Sequence, residues 1–164
     1  MGSPNVELAR EYLRAVESMG PRENVARFFS PDIEFHEFPN RIVPNGRVRR
    51  RADLQEAYGQ AQKLLHSQRY DVRRIVDNGD EVAVELEWTG VLAMPVPAMN
   101  LPAGHEMKAY VAMFLTFRDG LIVSQRNYDC YPPFDAVAPG AGPSSGAVRV
   151  ANASSGSNAE NGND

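Results

Sequence analysis

The sequence predicts an α+β domain in which helices gather on one face of a curved, mainly antiparallel sheet. Three observations carry this. Apolar stripes at helical spacing are confined to the first part of the chain. Long segments with strand alternation follow one another after them. Two turn signals, Asn78-Gly79 and Asp119-Gly120, join those strands as hairpins. The expected order is α-α-β-α-β-β-β-β, with the last four strands forming a meander.

The first helix opens on Ser3, a residue suited to an N-cap, with Pro4 in the first turn where a missing N–H costs nothing. Val6, Ala9, Leu13 and Val16 recur at helical spacing, flanked by Tyr12 and Met19, and Gly20-Pro21 ends the run. A short second helix carries Val25, Phe28 and Phe29, and Ser30-Pro31-Asp32 turns the chain into a strand over Ile33–Phe38. Strand residues alternate between faces, so Ile33, Phe35 and Glu37 share one side while Glu34, His36 and Phe38 share the other. Pro39, Pro44, Asn45 and Gly46 mark a loop. The run Arg47-Val48-Arg49-Arg50-Arg51 reads as a solvated turn in preference to a phosphate or protein contact, having no interleaved aromatics on which bases could stack. A third helix is expected from about Ala52 to His66, with Leu54, Ala57, Tyr58, Ala61, Leu64 and Leu65 on its apolar face.

Strands are then expected at Tyr70–Asp77, Glu81–Leu92 and Glu106–Arg118. Val82, Val84, Leu86 and Trp88 face one way, with Glu85, Glu87 and Thr89 opposite; Met107, Ala109, Val111, Met113, Leu115 and Phe117 form another apolar face. Between these strands lies a loop rich in Pro and Met, Ala93–Pro102. The last strand places Leu121, Val123, Gln125, Asn127, Asp129 and Tyr131 on one face: two apolar residues at a packed end, then amides, an acid and a phenol climbing toward a mouth. The domain is expected to span 1–134. The Ala/Gly/Ser/Asn-rich remainder, 135–164, cannot bury enough apolar surface to offset its ordering entropy and is expected to be a disordered tail.

A formal charge of −4 argues against a nucleic-acid binder. Cys130 is the single cysteine, so no disulfide framework is possible; it is expected to be half-buried and inert. His36, His66 and His105 lie on separate elements, and no glycine-rich phosphate loop or nucleophile elbow occurs, so neither metal nor other cofactor is expected. The N-terminus lacks a signal-peptide pattern and no apolar stretch is long enough to span a bilayer, which makes the cytoplasm the expected location, with no membrane partner.

The element order, the Gly79-Asp80-Glu81-Val82-Ala83-Val84 entry and the Phe117-Arg118-Asp119-Gly120-Leu121-Ile122 turn resemble the nuclear transport factor 2-like superfamily, most nearly its SnoaL-like polyketide cyclases. Ketosteroid isomerase and limonene epoxide hydrolase are relatives. The resemblance covers about Val6 to Tyr131. It implies a cone-shaped half-barrel, an apolar pocket at its open end and a homodimer through the outer sheet face. Carried over by position, it makes Tyr12 a pocket tyrosine and Glu37 a proton-shuttling carboxylate. Met113 stands where the isomerases hold an oxyanion with a protonated acid, and a thioether cannot donate that hydrogen bond. Asn127 stands where the epoxide hydrolases carry an acid, which counts against epoxide opening; Asp129, two residues on, faces the same way.

Glu37 and Asp129 are each the first acid on an otherwise apolar strand face, and burial there would raise their pKa toward the range useful for moving protons. Tyr12 and Asn127 are the candidate holders of a substrate oxygen. Phe35, Trp88, Val111, Met113, Gln125 and Tyr131 are expected to form the pocket wall, with Met94 and Met99 in a lid. Two functions follow: a proton-transfer enzyme of isomerase, cyclase or dehydratase type acting on a hydrophobic carbonyl compound, or a non-catalytic pocket that binds an apolar small molecule. Epoxide hydrolysis ranks below both.

Overall fold

Ser3 accepts a hydrogen bond from the Val6 amide, and Pro4 opens the first helix, as the capping pattern predicts. The computed structural model describes residues 2–134; the expected tail lies outside them. Its elements are α1 (Pro4–Glu17), α2 (Arg22–Ala26), β1 (Phe29–Glu37), β2 (Arg47–Arg49), α3 (Arg51–Leu64), β3 (Leu65–Asn78), β4 (Glu81–Leu92), a 3-10 turn at Pro97–Met99, β5 (Glu106–Arg118) and β6 (Leu121–Cys130). The strands form one curved, unclosed sheet in the order β2-β1-β6-β5-β4-β3. Every neighbouring pair is antiparallel except β1 with β6, which is parallel.

The inner faces of β4 and β5 follow the alternation read from the sequence. Val82, Val84, Leu86, Met107, Ala109, Val111, Met113, Leu115 and Phe117 are all buried. α1 packs across β3 and β4, and α3 packs against β1. Val6, Ala9, Tyr12 and Leu13 of α1 join Ile33, Leu115 and Ile122 in the main core. A second apolar cluster, Leu65, Leu92, Leu101 and Met107, closes the space beneath the 3-10 turn.

The structure corrects the sequence reading in several places. The Arg47–Arg51 run is not a solvated turn: its first three residues form β2 and pair with β1, Glu37 opposite Arg47 and Phe35 opposite Arg49. β1 starts at Phe29, which pairs with Ile122, and the irregularity before Glu34 accommodates Pro31, a residue confined to bulges and edges. β3 begins at Leu65, directly at the end of α3, so Leu65 and His66, expected to finish the helix, and residues 67–69, expected to be a connection, are strand.

The expected packed end of β6 is also different. Leu121 and Val123 are only half-buried, while Ile122 is fully buried. Thr116 pairs with Ser124 but Phe117 pairs with Ile122, so Val123 is an extra residue that reverses the phase of the strand. From Gln125 onward the predicted phase holds. Cys130 is exposed rather than half-buried, because it ends β6 on the outer face.

Both hairpin turns are present. The β5–β6 turn has positive φ at Asp119 (52°) and Gly120 (74°), which favours a short polar residue followed by glycine. The β3–β4 turn is shifted by one residue from the expected pair, with Asn78 opposite Glu81 and Gly79 at φ 70°.

Candidate functional site

Ten of the twelve candidate residues line one inner cavity of about 280 Å³: Tyr12, Phe35, Glu37, Trp88, Val111, Met113, Gln125, Asn127, Asp129 and Tyr131. Met94 and Met99 border a wider outer cavity of about 880 Å³. Arg47, Arg49, Ala61, Leu65, Trp88 and Tyr131 line both and so form the neck between them.

The inner cavity is organised by a directed chain of hydrogen bonds. The Tyr12 hydroxyl donates to Gln125 Oε1 at 2.9 Å. Gln125 Nε2 donates to Asn127 Oδ1 at 3.0 Å, and Asn127 Nδ2 donates to Asp129 Oδ1 at 3.4 Å. The three β6 side chains point inward because they are two residues apart on one strand face. Gln125 is almost wholly enclosed, at 2% exposure, so its amide depends on these partners. Every donor along the chain points toward the acid, which ends it as an acceptor.

Asp129 has its pKa pushed up from 3.8 to about 6. Burial is the largest cause and the negative charge of Glu37 adds to it; the Asn127 hydrogen bond and Arg47 oppose the shift. The carboxyl is therefore poised near neutrality.

Glu37 has a different environment. It is 8% exposed and paired through Oε2 with Arg47 Nε at 2.7 Å, while Asn40 Nδ2 donates to Oε1 at 3.2 Å. Arg49 Nη1 stands 3.8 Å from that same Oε2. Two guanidinium groups and an amide thus face this carboxylate.

Tyr12 is committed as a donor to Gln125, and burial pushes its phenol pKa upward. Two other phenols reach the inner cavity, Tyr70 and Tyr131. Burial raises both pKa values, and the nearby Asp129 charge contributes to each, so both remain protonated O–H donors. Neither hydroxyl belongs to the Tyr12–Gln125–Asn127–Asp129 chain, and neither is buried without a partner. Trp88 is held by its indole N–H, which donates to Gln68 Oε1 at 3.0 Å; Gln68 in turn donates to the Val16 carbonyl at 2.7 Å. The Trp88 ring lies over Gly90, where any Cβ would collide with it, and meets Tyr131 edge-on.

Arg47, Arg49, Gln68 and Tyr70 were not anticipated as site residues. The arginines carried a usable signal, since alternation within Arg47-Val48-Arg49 puts both on one face once the segment is read as a strand. Tyr70 and Gln68 also alternate, but the early start of β3 concealed it. His36 turns to the outer face and pairs with Glu34, as alternation predicts. Among the described residues, no three His, Cys, Asp or Glu side chains gather to hold a metal ion. No described helix is long and apolar enough to cross a membrane.

The SnoaL-like domain model matches residues 9–125, and the chain belongs to this family. Similar solved structures include IdmH, a candidate polyketide cyclase from Streptomyces antibioticus, at 22% identity and TM-score 0.64, covering 78% of this chain and 92% of that one. AclR, a candidate hydroxylase from Streptomyces galilaeus, is 18% identical with TM-score 0.63, covering 76% and 73%. A Catenulispora acidiphila protein with a ketosteroid isomerase-like fold is 16% identical with TM-score 0.59, covering 74% and 84%. At these identities the likeness establishes the fold. No curated protein sequence is significantly similar to the chain.

Proposed function

We propose that this chain is a small proton-transfer enzyme of isomerase, cyclase or dehydratase type, acting on a hydrophobic, polyketide-like carbonyl compound in the inner cavity. The observation that carries this is Asp129: a largely buried carboxyl on the inner cavity wall, with a pKa of about 6, at the receiving end of the Tyr12–Gln125–Asn127 chain. A base near neutrality is both available to take a proton and able to return it.

In this reading Asp129 removes a proton from the carbon beside the substrate carbonyl. The C–H electrons move into the new C–C double bond, and the carbonyl oxygen becomes an enolate. Tyr70 and Tyr131, whose hydroxyls lie outside that chain and whose rings line the cavity, donate to that oxygen as charge develops. Asp129 then returns its proton to another carbon, or to the alkoxide formed when the enolate attacks a second carbonyl. The amide of Asn127 orients the acid, and Tyr12 acts through Gln125. Glu37 tunes Asp129 by its charge while remaining paired with Arg47.

Deuterium exchange into an enolisable hydrophobic ketone, followed by NMR, tests this. Asp129→Asn is expected to slow exchange by about 10²–10⁴-fold, the range for a general base. Equal exchange rates in the two proteins would sink the catalytic reading. The second reading, a ligand-binding domain without turnover, is favoured by buried Met113, which supplies no proton where the isomerases place an acid.

A further inference from the structure

We propose that the neck between the two cavities is an anion site, and that the ligand it takes is a hydrophobic carboxylate whose acid group is gripped by Arg49 together with Arg47. This rests on the cavity being the substrate site, but its test reads binding and not turnover.

The argument begins with β2. Its pairing with β1 sets Arg47 opposite Glu37 and Arg49 opposite Phe35, so both guanidinium groups project over one strand edge into the neck. Arg47 spends its Nε on Glu37 Oε2. Arg49 approaches the same oxygen only to 3.8 Å, beyond a hydrogen bond, and its charge lies 6.0 Å from the Phe35 ring centre. Its side chain is 21% exposed, and it lines both cavities. A guanidinium carries five N–H donors in a planar fork, and no Arg49 nitrogen is buried without a partner, so the donors that face the neck stay open to an entering acceptor. A carboxylate presents two oxygens that match that fork.

The surrounding charges agree. Glu37 is one carboxylate facing two arginines, and Asn40 occupies its other oxygen. Asp53 accepts from the Arg50 amide at 2.8 Å, and its charge also reaches Arg49, so an incoming carboxylate competes with it as well as with Glu37. Glu56 and Lys63 offset each other on the outer wall. Asp129 lies on the inner wall only and does not line the outer cavity. An anion entering from the outer cavity therefore meets the two arginines first. The rest of the passage is apolar: Leu65, Trp88 and Tyr131 at the neck, Met99 and Met107 outside it. An apolar body with one carboxylate fits this distribution, whereas a neutral hydrocarbon filling the neck would displace water from the Arg49 fork and offer it no acceptor.

Trp88 is the only tryptophan of the chain and lines both cavities, so its fluorescence reads occupancy directly. Phenylbutyrate and its neutral isostere phenylbutyramide are titrated at neutral pH into wild type, Arg49→Gln and Arg49→Lys. In wild type the acid is expected to bind about tenfold or more tightly than the amide, as charge-assisted hydrogen bonds exceed neutral ones. Arg49→Gln is expected to abolish the difference, and Arg49→Lys to retain part of it. Equal affinities in wild type, or no detectable binding of the acid, overturn the proposal. So does a preference that survives in Arg49→Gln protein that still melts cooperatively. Any of these results would leave the proton-transfer reading standing, since that depends on exchange by Asp129.

Discussion

The Tyr12 hydroxyl donates a 2.9 Å hydrogen bond to Gln125 Oε1, tying the first helix to the last strand across 113 residues of sequence. Gln125 is enclosed, so removing its partner leaves a buried acceptor unpaired. Tyr12→Phe is expected to lower unfolding stability by about 1–3 kcal/mol, as for other buried polar groups that lose a partner. Urea unfolding checks it. A loss no larger than that of a surface control would mean that water replaces the phenol.

Asp129 should make stability depend on pH in a direction opposite to most carboxylates. Its pKa is raised in the folded protein from 3.8 to about 6, so between these values the folded state holds a proton that the unfolded state releases. Stability therefore falls as pH rises through this window, by up to about 3 kcal/mol, and stays lower above it. Asp129→Asn carries no such dependence. Its stability relative to wild type is expected to rise from pH of about 4 to about 6; a constant difference would show that the acid titrates normally.

Glu37→Gln tests the coupling of the two carboxyls. The Glu37 charge raises the Asp129 pKa, and Arg47 lowers it. Removing the Glu37 charge and releasing Arg47 both favour ionised Asp129. The acidic limb of a kcat/KM profile for ketone exchange should shift to lower pH, because the base form is populated sooner. The substitution also removes the carboxylate that Arg47 and Arg49 share, and about 1–3 kcal/mol of stability should be lost. An unmoved limb would argue against the coupling.

Gly90 concerns the wall rather than the acid. A Cβ there would overlap the Trp88 ring. Gly90→Ala is expected to swing the indole away from Gln68, shift its emission to the red and cost about 1–3 kcal/mol as an overpacked site. Unchanged emission would show that the backbone yields instead of the ring.

Much of this arrangement was legible from local pattern. β4 and β5 begin and end where alternation and turns place them, because each has one buried face and a short polar connection. The inward set Gln125, Asn127 and Asp129 followed from the same rule, as did Glu37 beside Phe35. Two kinds of information were hidden. The Val123 bulge depends on how β6 registers against β5, which no single strand reveals, and it exchanged Ile122 for Leu121 and Val123 in the core. β2 is short and two of its three residues are charged, so only its pairing with β1 makes it a strand. The roles of Tyr12 and Tyr70 were hidden for a related reason: which phenol is committed depends on Gln125, a partner distant in sequence.

The parallel junction of β1 with β6 has a consequence for assembly. Glu37 and Asn127 are neighbours only across that junction, and Asp129 lies just beyond it. Joining chain segments so far apart is the entropically slow part of folding. The ribosome must therefore release almost the whole domain before the acid, its amide and the arginines can meet. An incomplete chain can hold the β3–β4 hairpin but has no cavity to fill. Ligand capture thus acts as a certificate of finished folding, and a bound molecule protects the whole domain rather than any one of its parts.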